Sequence, residues 1–208
     1  LDECKTIIDK LYDMKFFTRI NLAGGEPMMA HHLQDIIDHV ISKGIECSII
    51  TNGSLLTEKF IIENKFKLSM IGISIDSMDD EVNLKIGRRT ISEIEQISRI
   101  IKLQGIKLKL NICISKLNMH CDFGSIIEKI RPDRIKILQV LSSPSLVNPD
   151  KFLLSDKEFN EVCVSLRKYN PIFENNEYML GAYWIVDSEG YYGKDNFHLE
   201  CDIKLKLL

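Results

Sequence analysis

The chain has 208 residues, 45% hydrophobic and 27% charged, with a formal net charge of −3. That length supports one sizeable core in a single domain, and the charge excludes the broad basic field that nucleic-acid binding exploits. No apolar run approaches the ~20 residues of a membrane span, and no signal-peptide pattern opens the chain. It begins at Leu1, inside the amphipathic stretch 1-LDECKTIIDKLYDM-14, so the natural N terminus is expected upstream. A helix over about 1–15 leads into a strand, 18-TRINLA-23, and the turn Gly24-Gly25-Glu26-Pro27. Two adjacent glycines cost backbone entropy and the proline steers Glu26 away from helix, so this turn is expected to hold main chain close to something small.

Short β-rich runs then alternate with amphipathic ones. A helix over 30–43 stops at Gly44 and is followed by the strand 46-ECSIIT-51 and a helix over 57–66. The strand 69-SMIGISID-76 precedes a loop ending in 85-KIGRR-89, and Thr90 with Glu93 forms a capping box for a helix over 91–104, stopped by Gly105. Strand 107-KLKLNICI-114, a helix over 121–131 and strand 134-RIKILQVL-141 complete the repeat. Beyond them, 142–208 reads as an extension: a helix over 156–169 opened by the Ser155–Glu158 box, then a hairpin over 182–195 turning at Ser188-Glu189-Gly190. This order implies parallel strands with right-handed crossovers, in a barrel or partial barrel whose active groups sit at the strand C-terminal ends. An open doubly wound sheet is the alternative. Five strands with a helix before the first imply a further strand upstream.

Strand faces favour the barrel. Leu108, Leu110, Ile112 and Ile114 share one face, expected to meet helices, and Lys107, Lys109, Asn111 and Cys113 share the other. Gly72, Ser74 and Asp76 likewise oppose Ile71, Ile73 and Ile75. A polar, cationic lumen is unlike the branched apolar filling of an ordinary barrel, and points to a ligand. Each of Lys109, Lys136, Arg88 and Arg89 alone fits a solvated rim position. Converging on one cavity, they suggest a polyanion such as a nucleoside triphosphate. The six cysteines (Cys4, Cys47, Cys113, Cys121, Cys163, Cys201) show no CxxC pair and no metal-ligand spacing, which reads as reduced thiols and a cytoplasmic location. His31 and His32 read as a solvated first helical turn, Asp79, Asp80 and Glu81 as helix N-terminal charge, and Trp184 as core or cavity wall.

A strand-ending GGEP, then Thr51-Asn52-Gly53, then Ser74-Ile75-Asp76, each one β-α unit apart, resembles the radical S-adenosylmethionine enzymes. Within that superfamily, 76-DSMDDEVNLKIGR-88, Lys109-Leu110-Asn111, Arg134-Ile135-Lys136 and 174-ENNEYMLGAYWIVD-187 resemble the viperins, from Leu1 to roughly Asp187. The resemblance implies an α/β fold: a partial (β/α)6 TIM-like barrel lacking its first strand and cluster loop, with a C-terminal hairpin extension. It implies a lyase activity in antiviral defence: conversion of cytidine triphosphate, or alternatively the guanosine or uridine triphosphate, to a 3′-deoxy-3′,4′-didehydro nucleotide. A 5′-deoxyadenosyl radical formed from S-adenosylmethionine at a [4Fe–4S] cluster would abstract the ribose C4′ hydrogen. An electron donor is an implied partner.

Residue by residue, the resemblance places the Gly24, Gly25, Glu26 and Pro27 turn on the cofactor through backbone oxygens rather than the Glu26 carboxylate. Asn52, Ser54 and Ser74 take cofactor-contacting places, and Asn111 lies between cofactor and substrate. Arg88, Lys109 and Lys136 match the triphosphate cradle, Glu174 and Tyr183 the substrate side, with Tyr183 the catalytic hydrogen or proton donor. Two departures stand out. The family's CxxxCxxC cluster motif does not occur in the sequence, so its cysteines are expected upstream and this chain alone cannot assemble the cluster. The stretch after Asp187 diverges from the animal pattern. A nucleotide-binding homologue without a cluster is the alternative reading. A peptide-modifying radical enzyme would require further C-terminal cysteine clusters, which this sequence lacks.

Overall fold

Parallel strands laid side by side in chain order form the frame of the molecule. In the computed structural model, residues 1–141, 148–179, 184–186, 191–194 and 203–204 are described. Strands β1 (Arg19–Leu22), β2 (Glu46–Thr51), β3 (Leu68–Ser74), β4 (Lys107–Ile114), β5 (Arg134–Gln139) and β6 (Ile172–Glu174) form one sheet in that order. Every neighbouring pair is parallel. An unbroken sequential order has no switch point, so the doubly wound alternative is excluded and the sheet is a half-barrel. Strand β6 is one more than the periodicity predicts. It is three residues long, follows Pro171, and is too short to alternate visibly.

Helices α1 (Asp2–Asp13), α2 (Leu33–Ser42), α3 (Glu58–Glu63), α4 (Asp80–Lys85), α5 (Ile91–Leu103), α6 (Phe123–Ile130) and α7 (Asp156–Leu166) connect or flank these strands. The core lies between them and the outer sheet face. Ile49, Ile71, Ile73, Leu108, Leu110, Ile112 and Ile137 are fully buried there with Ile37, Val40, Ile61, Ile94 and Ile101 of the helices. Burial of each such side chain contributes roughly 2 kcal/mol. Both predicted capping boxes form, at Thr90–Glu93 and Ser155–Glu158. Gly44 and Gly105, with φ of +73° and +74°, end their helices in the left-handed region.

The strands β7 (Trp184–Val186) and β8 (Tyr191–Lys194) pair antiparallel, in keeping with the predicted hairpin, and β9 (Ile203–Lys204) adds to β8. The predicted turn residues 188–190 lie outside the described residues. Trp184 is 44% exposed, which excludes the core and leaves the cavity wall of its two expected places. No helix among the described residues is long and apolar enough to cross a membrane.

Candidate active site

The C-terminal ends of parallel strands share one edge of the sheet, so the turns after β1, β2 and β3 gather there. After β1, Gly24 and Gly25 have φ of +92° and +47°. A Cβ built on either would meet nothing within 4 Å. The backbone conformation therefore demands glycine, and the space beside it is open. Pro27 begins a 3-10 turn, Pro27–Met29, capped by Glu26, whose Oε1 accepts the Met28 N–H at 3.1 Å.

The same carboxylate crosses to the next turn. Its Oε1 accepts the Thr51 hydroxyl at 2.5 Å, and its Oε2 accepts the Asn52 N–H at 2.6 Å. Glu26 is thus a buckle between the first two turns, a role that four residues of sequence did not disclose. The Glu26 carboxylate is thereby fully engaged within the protein. Replacing Glu26 with alanine removes three charge-assisted bonds and is expected to cost about 2–3 kcal/mol in urea unfolding. Glu26→Gln keeps one acceptor and should cost about half as much, since its amide NH₂ must face a donor.

In the second turn, Asn52 Oδ1 accepts both the Ser54 N–H at 2.8 Å and the Ser54 hydroxyl at 2.7 Å. Thr51 Oγ1 accepts the Gly53 N–H at 3.0 Å. These local bonds orient Asn52 and Ser54, the two residues expected to face a cofactor.

Across the inner sheet face, register places Ser74 beside Asn111 and Asn111 beside Lys136. One layer below, Gly72, Lys109 and Arg134 are neighbours. A Cβ on Gly72 would lie 3.1 Å from Ile50 Cγ1 and 3.3 Å from Asn111 Nδ2, so the glycine makes room for the Asn111 amide. Asn111 is 7% exposed, and its Oδ1 is buried with no hydrogen-bond partner among the described residues. A buried acceptor left open costs free energy unless a ligand supplies the donor.

The cations divide into distinct settings. Lys136 Nζ meets Glu174 Oε2 at 2.6 Å, with both side chains largely buried. Arg88 donates to Asp76 Oδ2 through Nε at 2.9 Å and Nη2 at 2.7 Å. Lys109 forms no salt bridge among the described residues. Burial pushes its ammonium down to about 8, helped by Lys136 and Arg134 and opposed by Glu174. Arg89 departs from the expected convergence. Its Nε donates to Gly53 O, and its Nη2 donates to Leu56 O at 2.6 Å, so it faces the second turn rather than the lumen.

Asp76 is a further residue that the strand pattern placed on the inner face without a role. Its Oδ1 accepts the Cys113 N–H at 3.4 Å, and its main-chain oxygen accepts Asn118 Nδ2 at 2.7 Å, joining β3, β4 and the turn after β4. The Cys113 thiol is pushed up to about 11, mainly by burial and further by Asp76. Tyr183 lies outside the described residues. Asp79 caps α4 and Asp80 accepts the Ile91 N–H, so these two acids serve the backbone, while Glu81 approaches Lys85 at 3.8 Å. His31 and His32 are exposed. Among the described residues, no group of three or more His, Cys, Asp or Glu is placed to hold a metal ion.

The profile of the Radical SAM superfamily matches residues 1–130. An S-adenosylmethionine-dependent nucleotide dehydratase of a Thermoplasmatales archaeon (strain ISO4-H5) is 35% identical over 190 residues, covering 83% of this chain and 67% of that protein. The protein of the same description from Lacinutrix mariniflava is 34% identical over 199 residues, covering 91% of this chain and 42% of that one. Its counterpart in Flammeovirga pacifica is 33% identical, covering 84% and 63%. The chain thus spans 42% to 67% of the lengths of these relatives. Among solved structures, native anSMEcpe with bound AdoMet superposes with a TM-score of 0.69 at 13% identity, covering 97% of this chain and 69% of that one. Streptococcus suis SuiB gives 0.65 at 15% identity, covering 83% and 42%. Both share the fold.

Proposed function

This chain belongs to the viperin-like branch of the Radical SAM superfamily, and from that membership we propose that the protein containing it dehydrates a nucleoside triphosphate. Cytidine triphosphate is the proposed substrate, with the guanosine and uridine triphosphates as alternatives. The observation that carries the reading is the pairing of an open buried acceptor, Asn111 Oδ1, with the half-buried ammonium of Lys109 on one strand face. A polar, anionic ligand satisfies both.

The residues around the opening fit S-adenosylmethionine in kind. The Gly24–Gly25 main chain borders open space, Asn52 and Ser54 are pre-oriented by each other, and Asn111 retains an unused acceptor. When bound, S-adenosylmethionine and its [4Fe–4S] cluster supply the one-electron chemistry that activates the ribose. The described residues offer no ligand set for the cluster. Lys109, Lys136 and Arg88 receive the phosphates, and their fixed positions hold the sugar in one orientation. Asn111 separates the two ligands and touches both. Glu174 faces the substrate once a phosphate replaces it on Lys136. Tyr183 is proposed as the hydrogen or proton donor that ends the cycle. The proposal includes a separate electron donor and a cytoplasmic setting, in keeping with the free thiols of the five cysteines among the described residues, and no direct binding of nucleic acid.

The test is anaerobic turnover of the full-length, cluster-reconstituted protein with each nucleoside triphosphate, read by mass spectrometry. A nucleotide lighter by one water, formed with 5′-deoxyadenosine, is expected. Release of 5′-deoxyadenosine without any altered nucleotide contradicts the proposal.

A further inference from the structure

We infer that Gln139 is a positioning residue for the nucleotide: it fixes the main chain after β6, and so sets Glu174 and Asn176 in place for that ligand. This role rests on the function proposed above and adds a support to its nucleotide site. Gln139 is the last residue of β5 and is 2% exposed. A side-chain amide buried so deeply must have its donor and acceptor met, and the groups that meet them show what it holds.

Strand β6 is the shortest of the main sheet and closes its edge beside β5. Their ladder pairs Lys136 with Ile172, Ile137 with Phe173 and Leu138 with Glu174. Glu174 is therefore the last residue of the ladder, and Gln139 is the next residue of β5. There the Gln139 side chain takes over: its Oε1 accepts the Asn176 N–H at 3.1 Å. The hold of β5 on this edge is thus prolonged past the last backbone pair. The other end of the amide is fixed by a different element. Nε2 donates to the Leu154 carbonyl at 3.1 Å, and Leu154 directly precedes Ser155, whose capping box with Glu158 opens α7. A carbonyl on one side and an N–H on the other leave the amide a single orientation.

The segment so held carries groups given to the substrate side. Glu174 meets Lys136 Nζ at 2.6 Å, and Asn176 Oδ1 is buried with no hydrogen-bond partner among the described residues. Asn111 Oδ1 is open in the same way on β4. An acceptor kept open costs free energy until a donor of the ligand fills it. The turns given to the cofactor follow β1, β2 and β3, on the other side of the sheet. Loosening the edge at β6 should therefore act on the nucleotide alone. An edge no longer held in place must be ordered when the nucleotide binds, and that cost falls on its affinity.

The test is calorimetric titration of the full-length, cluster-loaded protein, without reductant, with cytidine triphosphate and separately with S-adenosylmethionine. Gln139→Leu removes both bonds and should bind the triphosphate about tenfold more weakly, with S-adenosylmethionine affinity within about twofold of the wild type. Gln139→Glu supplies a second readout. Its protonated carboxyl donates to Leu154 and accepts from Asn176 as the amide does, whereas the ionised form turns a charge on the Leu154 carbonyl. Compared with the wild type at the same pH, its triphosphate affinity should be nearly equal at about pH 6 and about tenfold lower at about pH 8. A Leu variant that binds both ligands as the wild type does, or loses both by the same factor, overturns the inference. So does a Glu variant weakened by the same factor at both pH values. The wild-type titration stands apart from the variants: absence of triphosphate binding there overturns the proposed function, and this role with it.

Discussion

Lys136→Met is expected to lower folding stability by about 3 kcal/mol, because it removes the ammonium that meets the buried Glu174 carboxylate at 2.6 Å. Side-chain exposures of 10% for Lys136 and 13% for Glu174 leave little water to compensate the loss of this pair. Breaking such a pair costs more than removing it whole. The double variant Lys136→Met/Glu174→Leu should regain most of the lost stability, since well-packed apolar replacements of buried pairs are commonly neutral or better. In a chain of this size the single variant should melt roughly 6–12 °C lower, and the double variant near the wild type. Nucleotide binding should separate from stability here: both variants lose the cation, so both should bind triphosphate more weakly. A double variant that stays as unstable as the single one would show that the pair is not the source of the loss.

Lys109 gives the second large effect, with the opposite sign on stability. Its ammonium titrates at about 8 in the folded protein against an ordinary 10.5. The unfolded chain therefore holds that proton more tightly, and a charged Lys109 opposes folding. This group's contribution to stability is unfavourable below pH ~8 and is relieved as pH rises from about 8 towards 10.5. Lys109→Met, which removes the buried charge and keeps the aliphatic stem, should stabilise the protein at neutral pH. Binding follows the reverse course. A bound polyanion favours the charged form, so triphosphate affinity should hold steady below pH ~8 and weaken above it, by up to about tenfold per pH unit. The Lys109→Met variant should lose that pH dependence along with most of its affinity.

Much of the frame was legible because it follows from periodicity. Alternation in 107–114 separated Leu108, Leu110 and Ile112 from Lys109 and Asn111; burial sets Lys109 apart from the apolar residues, while Asn111 is buried on the inner face. The capping boxes at Thr90 and Ser155 and the glycine stops at Gly44 and Gly105 are local chemistry that tertiary contacts did not override. Strand β6 was not legible, since three residues cannot display a period. The cations show where pattern reading ends. Lys109 and Lys136 sit in strands, whose geometry fixes the face they present. Arg88 and Arg89 sit in a connection, where partners decide: one found Asp76 and the other the carbonyls after β2. Glu26 was assigned to a cofactor turn for its backbone, while its side chain binds the neighbouring turn, a contact spanning more than twenty residues of chain that no local signal encodes. Trp184 was read as core or cavity wall, and it lies partly exposed on a strand outside the main sheet.

The most direct measurement for this account is a pair of calorimetric titrations of cytidine triphosphate at neutral pH into the full-length wild-type protein and its Lys109→Met variant. Loss of at least tenfold in affinity, in a variant that melts no lower than the wild type, is the predicted result. Equal affinities in the two proteins would contradict the claim that the inner face of the half-barrel receives the triphosphate.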